Sequence, residues 1–172
     1  MAGPVFGVLH ADVSYTIAVD RCGRAIPSTE LVERVAGLKA AVTECGGERW
    51  GIASSDTFEF ACAILAVWAA GKVPVLLPGD DSVTRWHGSL NIDGIIGNAT
   101  VSGIPNVQPD LTAESWSEPL RIAPDSPFSI FTSGSSGAPK QIHKTLRHIQ
   151  SEVDVLESRW GDAMGAGPVH GT

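Results

Sequence analysis

The apolar positions along the chain change period several times, and each change marks an element. Ser14–Asp20 is strand-like, Arg21-Cys22-Gly23-Arg24 turns and Ala25–Pro27 returns, which predicts a hairpin. Ser28 is placed to cap a helix whose apolar residues Leu31, Val35, Leu38 and Val42 step by four, three and four. Gly46-Gly47 supplies the left-handed stop that such helices favour. Arg49–Ser54 reads as a short buried strand. Asp56 with Glu59 forms an acidic variant of the capping box and opens a helix over Thr57–Ala70. That helix is apolar nearly all round (Phe58, Phe60, Ile64, Leu65, Val67, Trp68), so it must be covered on several sides. Gly71 ends it, and Val73–Leu77 is the next strand.

A short helix around Ser82–Leu90 and a strand at Ile92–Ile96 follow. Gly97–Pro124, rich in Gly, Pro, Ser and Asn, reads as a long surface connection with room for one short strand. Phe128–Phe131 is the next strand and runs directly into a Gly/Ser loop; Gln141–Lys144 is extended. Thr145 is placed to cap a last helix along which Leu146, Ile149, Val153, Leu156 and Trp160 recur at steps of three and four. Gly161–Thr172 has neither cap nor helical period. Strands alternating with helices imply right-handed crossovers, so the expected fold class is α/β, a mainly parallel sheet flanked by helices behind an N-terminal hairpin.

Composition narrows the function. Of 172 residues, 43% are hydrophobic and 18% charged, which describes a folded domain and not a disordered chain. With 19 acidic against 12 basic residues the net charge is -7, and no Lys/Arg run marks a nucleic-acid surface. Cys22, Cys45 and Cys62 are odd in number and far apart, which predicts reduced thiols. The N-terminus lacks a signal-peptide pattern, and the apolar run from Phe60 to Gly71 is too short to span a bilayer. A cytoplasmic protein without membrane partners is the expectation. His10, His87, His143, His148 and His170 show no metal-ligand spacing, and Asp80-Asp81 suits a turn or cap.

One segment carries chemistry: Ser129-Ile130-Phe131-Thr132-Ser133-Gly134-Ser135-Ser136-Gly137-Ala138-Pro139-Lys140. A buried strand delivers it to the sheet edge at which open α/β sheets bind ligands. Gly134 and Gly137 let the backbone approach an anion closely, and successive N–H groups in such turns form a concave nest. The hydroxyls of Thr132, Ser133, Ser135 and Ser136 add neutral donors, and Lys140 adds a point charge. Composition alone also describes a flexible linker. The apolar strand before, the Pro-Lys after and the amphipathic helix beyond argue for phosphate binding instead. The spacing is not that of a Walker A loop, and no G-x-S-x-G is present for a serine nucleophile.

Thr132-Ser-Gly-Ser-Ser-Gly-Ala-Pro-Lys140 after a hydrophobic strand resembles the signature loop of the adenylate-forming enzymes: acyl- and aryl-CoA synthetases, nonribosomal-peptide adenylation domains and luciferases. Glu30–Ala41 is similar to that family's early helix. Asp56–Pro78, with Ala70-Gly71-Lys72-Val73-Pro74-Val75, is similar to its helix followed by Ala-Gly-x-x-x-Val-Pro-Leu, and Thr145-Leu146-Arg147-His148 falls at its Thr/Ser-His-x-Asn helix start. Two positions depart: Ser136 replaces the commoner Thr, and Gln141 stands where the family has Gly.

The resemblance implies that residues 1–172 are the N-terminal portion of an AMP-binding ligase domain. In such a parent a carboxylate attacks Mg-ATP to give an acyl-adenylate, and CoA or an acyl carrier protein then takes the acyl group. Thr132, Ser133, Gly134, Ser135, Ser136, Gly137 and Lys140 would hold the ATP phosphates. The family's acyl pocket, magnesium-binding acid, Arg-Thr-Gly-Asp ribose motif and catalytic lysine have no counterpart in this sequence. Hence no catalytic residue and no metal ligand is assigned here, and the chain alone is expected to be inactive. A partner subdomain covers these helices in the family, so self-association, most simply as a two-fold dimer, is also expected. The alternative is a non-catalytic nucleotide-binding or interaction module.

Overall fold

The computed structural model describes residues 14–20, 22–77, 90–113, 121–132 and 140–164. The predicted hairpin is present: β1 (Thr16–Val19) pairs antiparallel with β2 (Ala25–Pro27) as a separate two-stranded sheet. Asp20 holds its turn, accepting the Cys22 and Arg24 backbone N–H groups at 2.9 Å each, while Gly23 takes φ of 82°.

Helix α1 (Ser28–Cys45) buries Leu31, Val35, Leu38 and Val42, the face read from the period. Its start differs from expectation. Pro27 occupies the cap position with no side-chain cap bond, and Ser28 is already helical. The Ser28 hydroxyl instead accepts the Tyr15 N–H at 3.2 Å, and Ser28 N donates to Tyr15 O at 2.8 Å. Ser28 is fully buried, and its hydroxyl serves the Tyr15 amide, thirteen residues back and just ahead of β1. Gly46, at φ 78°, ends the helix as predicted.

Strand β3 (Arg49–Ala53), helix α2 (Thr57–Ala69) and strand β4 (Val73–Leu76) form a parallel crossover unit. Asp56 caps α2, accepting from the Phe58 and Glu59 N–H groups at 2.9 Å. The return half of the capping box runs through an intermediary: Asp56 N donates to Ser54 Oγ at 3.2 Å, and that hydroxyl donates to Glu59 at 2.9 Å. Of the predicted helix near Ser82–Leu90 only Leu90 is described; the rest, with Asp80-Asp81, lies outside the described residues.

Strands β5 (Gly94–Gly97) and β6 (Asn106–Val107) follow. The stretch read as a surface connection contributes more than that. Ala99, Val101 and Val107 are buried, because the main sheet needs apolar cover at its far edge. Strand β7 (Pro127–Thr132) pairs with the antiparallel β8 (Lys140–Thr145), and helix α3 (Leu146–Met164) follows directly.

The six-stranded sheet has the order β6-β5-β3-β4-β7-β8; β8 alone runs against its neighbour. On one face Trp50, Ile52 and Ile96 of the sheet form a core with Leu38 and Val42 of α1 and Cys62, Ala66 and Val67 of α2. The other carries Ala53, Val75, Leu77, Leu90 and Ile95, with Phe131 against them. All three cysteines are free, and burial pushes the Cys62 thiol up to about 12, leaving it inert. On α3, Leu146 is buried, but Leu156 and Trp160, read as part of its apolar stripe, are about half exposed, as is Val155.

Candidate functional site: the open end of the β7–β8 hairpin

After β4 the chain crosses back to β5 on the far side of β3; after β7 it turns the other way, into β8. Neighbouring strands whose outgoing connections part create the crevice in which open α/β sheets take ligands. The connection from β7 to β8 leaves from that end of the sheet. Thr132 ends β7 directly opposite Lys140, the first residue of β8, so the two stand at the mouth of the connection. Ser133, Gly134, Ser135, Ser136 and Gly137 belong to that connection and lie outside the described residues.

Several interactions anchor the hairpin. Val75 and Leu76 of β4 pair with Ser129 and Ile130. The Trp68 indole N–H donates to Pro127 O at 2.7 Å, and its ring meets Phe128 edge-on at 6.1 Å between centroids. Ser129 is fully buried, with its hydroxyl 3.0 Å from Nδ1 of its cross-strand partner His143. Behind the hairpin, Leu146 N donates to Ser126 O and Arg147 N to Pro124 O. The Arg147 guanidinium binds Asp125 at 2.9 Å and holds that carboxyl below its ordinary range. Lys144 pairs with Glu152 of α3 at 2.8 Å, and this hydrogen bond likewise lowers the Glu152 carboxyl.

Strand alternation divides the mouth between two faces. Lys140 shares a face with Ile130 and Phe128, towards α2; Gln141 and His143 share the opposite face with Phe131 and Ser129. Lys140 is exposed. The nearby start of α2 already has the Asp56 carboxylate on its N–H groups, so it offers no second anion site.

Two features escaped the sequence reading. The contact of His143 is one: the residue is exposed, but its Nδ1 lies 3.0 Å from the Ser129 hydroxyl, and only the hairpin register brings the two together. Gln141 registers only as a departure from the family pattern, whereas its Nε2 is buried without a hydrogen-bond partner. His148 is exposed, and its Nδ1 accepts the Thr145 N–H at 3.0 Å, which places the neutral ring's proton on Nε2. Among the described residues no His, Cys, Asp or Glu group is placed to hold a metal ion, and no helix is long and apolar enough to cross a membrane.

The architecture is that of the N-terminal part of the adenylate-forming enzymes: a mostly parallel α/β sheet with an antiparallel N-terminal hairpin. Over 81% of its length the chain superposes, at a TM-score of 0.62 and 21% identity, on the nonribosomal peptide synthetase FmoA3 (S1046A) in its AMPPNP-bound form. Over 80% it superposes, at 0.65 and 16% identity, on the fatty acyl-adenylate ligase of L. pneumophila solved with acyl adenylate and pyrophosphate. A curated relative, the polyketide synthase-nonribosomal peptide synthetase ACE1 of Pyricularia oryzae, is 27% identical over 150 residues, 74% of this chain. The chain spans 4% of that relative and 16% and 28% of the two solved chains. No protein-family model matches the sequence.

Proposed function

We propose that residues 1–172 are the N-terminal portion of an adenylate-forming ligase domain and hold its ATP phosphate site. The observation that carries this is the β7–β8 hairpin. It has Ser-Gly-Ser-Ser-Gly-Ala-Pro in its connection and sets Lys140 opposite Thr132 at the two ends of that connection. In the parent ligase a carboxylate oxygen attacks the α-phosphorus of ATP, the bond to the bridging oxygen breaks, and pyrophosphate leaves. The thiol sulfur of CoA or a carrier protein then attacks the acyl carbon, the bond to the phosphate oxygen breaks, and AMP leaves.

This chain's residues serve the leaving group. Thr132, Ser133, Ser135 and Ser136 donate to the β- and γ-phosphate oxygens, Gly134 and Gly137 let the backbone N–H groups close on them, and Lys140 balances charge as it moves onto pyrophosphate. Magnesium accompanies ATP and screens the same charge; its protein ligands belong to later parts of the ligase. Cytoplasmic ATP and thiol acceptors suit a chain whose three cysteines are free.

Two measurements test the reading. The 172-residue chain should give no ATP–pyrophosphate exchange with any carboxylate, yet its loop resonances should respond to ATP. In a longer polypeptide containing it, Lys140→Ala should slow adenylation by up to about 3 kcal/mol in the barrier, the scale of one lost electrostatic donor. An adenylation rate indifferent to both Lys140→Ala and Ser135→Ala refutes the assignment. Exchange by the chain alone that Lys140→Ala abolishes refutes its dependence on further elements.

A further inference from the structure

Helix α3 is exposed along most of its length. Leu146 at its start is buried, but from Ser151 to Trp160 every residue is exposed except the half-buried Val153. A helix so exposed is expected to be polar all round, yet Leu146, Ile149, Val153, Leu156 and Trp160 recur at alternating steps of three and four. That spacing is a heptad, with Leu146, Val153 and Trp160 at its first position and Ile149 and Leu156 at its fourth, so the five form one narrow seam. Leu156 is 46% exposed and Trp160 52%, which leaves the far half of the seam uncovered among the described residues. Gln150 and Glu157 flank the seam on one side, Glu152 and Arg159 on the other. Lys144 bonds Oε1 of Glu152 at 2.8 Å, and the Glu152 side chain is still 63% exposed.

We propose that this seam docks on the same seam of a second copy of the chain, antiparallel, about a two-fold axis passing between Asp154 and Val155. The flanking charges choose the orientation. In the antiparallel register Val153 packs against Leu156 of the second copy and Ile149 against its Trp160, so these four seam residues are all covered. Glu152 then faces Arg159 of the second copy, an attraction that the two-fold repeats, and Gln150 faces Glu157, a neutral amide against a carboxylate. A parallel pair would instead set Glu152 against Glu157 on both sides, carboxylate against carboxylate. The bodies of the two chains agree with the charges. Each joins its α3 at Leu146, and the antiparallel register holds those two starts about 25 Å apart, whereas parallel helices would bring both bodies together at one end. A different polypeptide on this seam would not require Glu152 and Arg159 to complement each other. The seam is little more than two heptads long, so the association is weak and reversible.

Two complementary variants of the 172-residue chain test the pairing by sedimentation equilibrium over a concentration series. Arg159→Glu sets carboxylates against each other on both flanks of the dimer, and Glu152→Arg sets guanidiniums against each other. Each should raise the dimer dissociation constant roughly tenfold, since two attractions become two repulsions. Mixing the two variants in equal amounts should restore association to that of the unaltered chain, because every unlike pair then regains both attractions. Both positions are exposed, so the circular dichroism of each variant should match that of the unaltered chain. Should either lose helix content, Arg159→Gln takes its place, with a rise of about threefold expected and an unchanged affinity overturning the proposal. An unaltered chain that stays monomeric at its highest soluble concentration overturns it too, and leaves the seam to another segment or partner. Association indifferent to both charge reversals, or lost in both and not restored by mixing, rules out the antiparallel two-fold pair.

Discussion

Gly94→Ala probes the most tightly filled point of the sheet. Gly94 of β5 is the register partner of Trp50 in β3, and the indole lies directly over its Cα. A methyl group added there would sit 2.6 Å from Trp50 Cη2 and Cζ3 and 2.8 Å from Cε3. Ordinary contact begins near 3.4 Å, so the ring must retreat by about 1 Å in an interior packed to crystal density. Trp50 is fully buried, and its Nε1–H donates to Gly46 O at 3.1 Å, a bond that a shift of that size breaks. Overpacking costs about 1–3 kcal/mol and the lost bond about 1. Restricting the unfolded chain returns about 0.5–1. The net expectation is a loss of about 2–3 kcal/mol, measured by urea unfolding followed by far-ultraviolet circular dichroism. Trp50→Phe withdraws the outer ring, so on that background Gly94→Ala should cost less than about 1 kcal/mol, a coupling near 2. Additive effects within about 0.5 kcal/mol, or a stabilising Gly94→Ala, would refute the contact as the cause.

Two other outcomes follow from named contacts. Asp93 accepts the Glu48 and Arg49 N–H groups at 2.8 and 2.9 Å, and the Arg49 and Glu48 backbone bonds hold its carboxyl below the ordinary value of 3.8. A lowered folded-state value means stability that is present above 3.8 and lost as pH falls through the folded value, so the gap between the unaltered chain and Asp93→Asn in urea unfolding should be widest near neutrality and close in acid; a constant gap contradicts this. Val155, Leu156 and Trp160 leave an apolar strip on α3, on the order of a few hundred Å², below the roughly 800 Å² per partner of a stable interface. We therefore expect weak two-fold self-association, seen in sedimentation as a concentration-dependent shift and removed by Leu156→Lys; a monomer at high concentration rules it out.

The α1 period, the Gly46 stop, the Asp56 cap and the β7 strand were legible because each signal is local. A cap needs a side chain within three residues of its target, and a helix face repeats within one turn. The same locality explains where the reading failed. Ser28 looks like a cap, and its neighbours in sequence support that; its hydroxyl is claimed by Tyr15, thirteen residues away. The Asp56–Glu59 box is interrupted by Ser54 because the end of β3 turns back over the helix start.

The sequence by itself determined the fold class and the order of the described elements, since hydrophobic period and glycine placement are fixed residue by residue. Tertiary structure decided what those residues meet. Strand order put β7 beside β4, with the following strand β8 on the side away from β5. Register set Thr132 opposite Lys140, joined Ser129 to His143, and placed Gln141 against Phe131 on the face away from Lys140. A one-residue slip would exchange the two faces and every one of those contacts, and register depends on partners far along the chain.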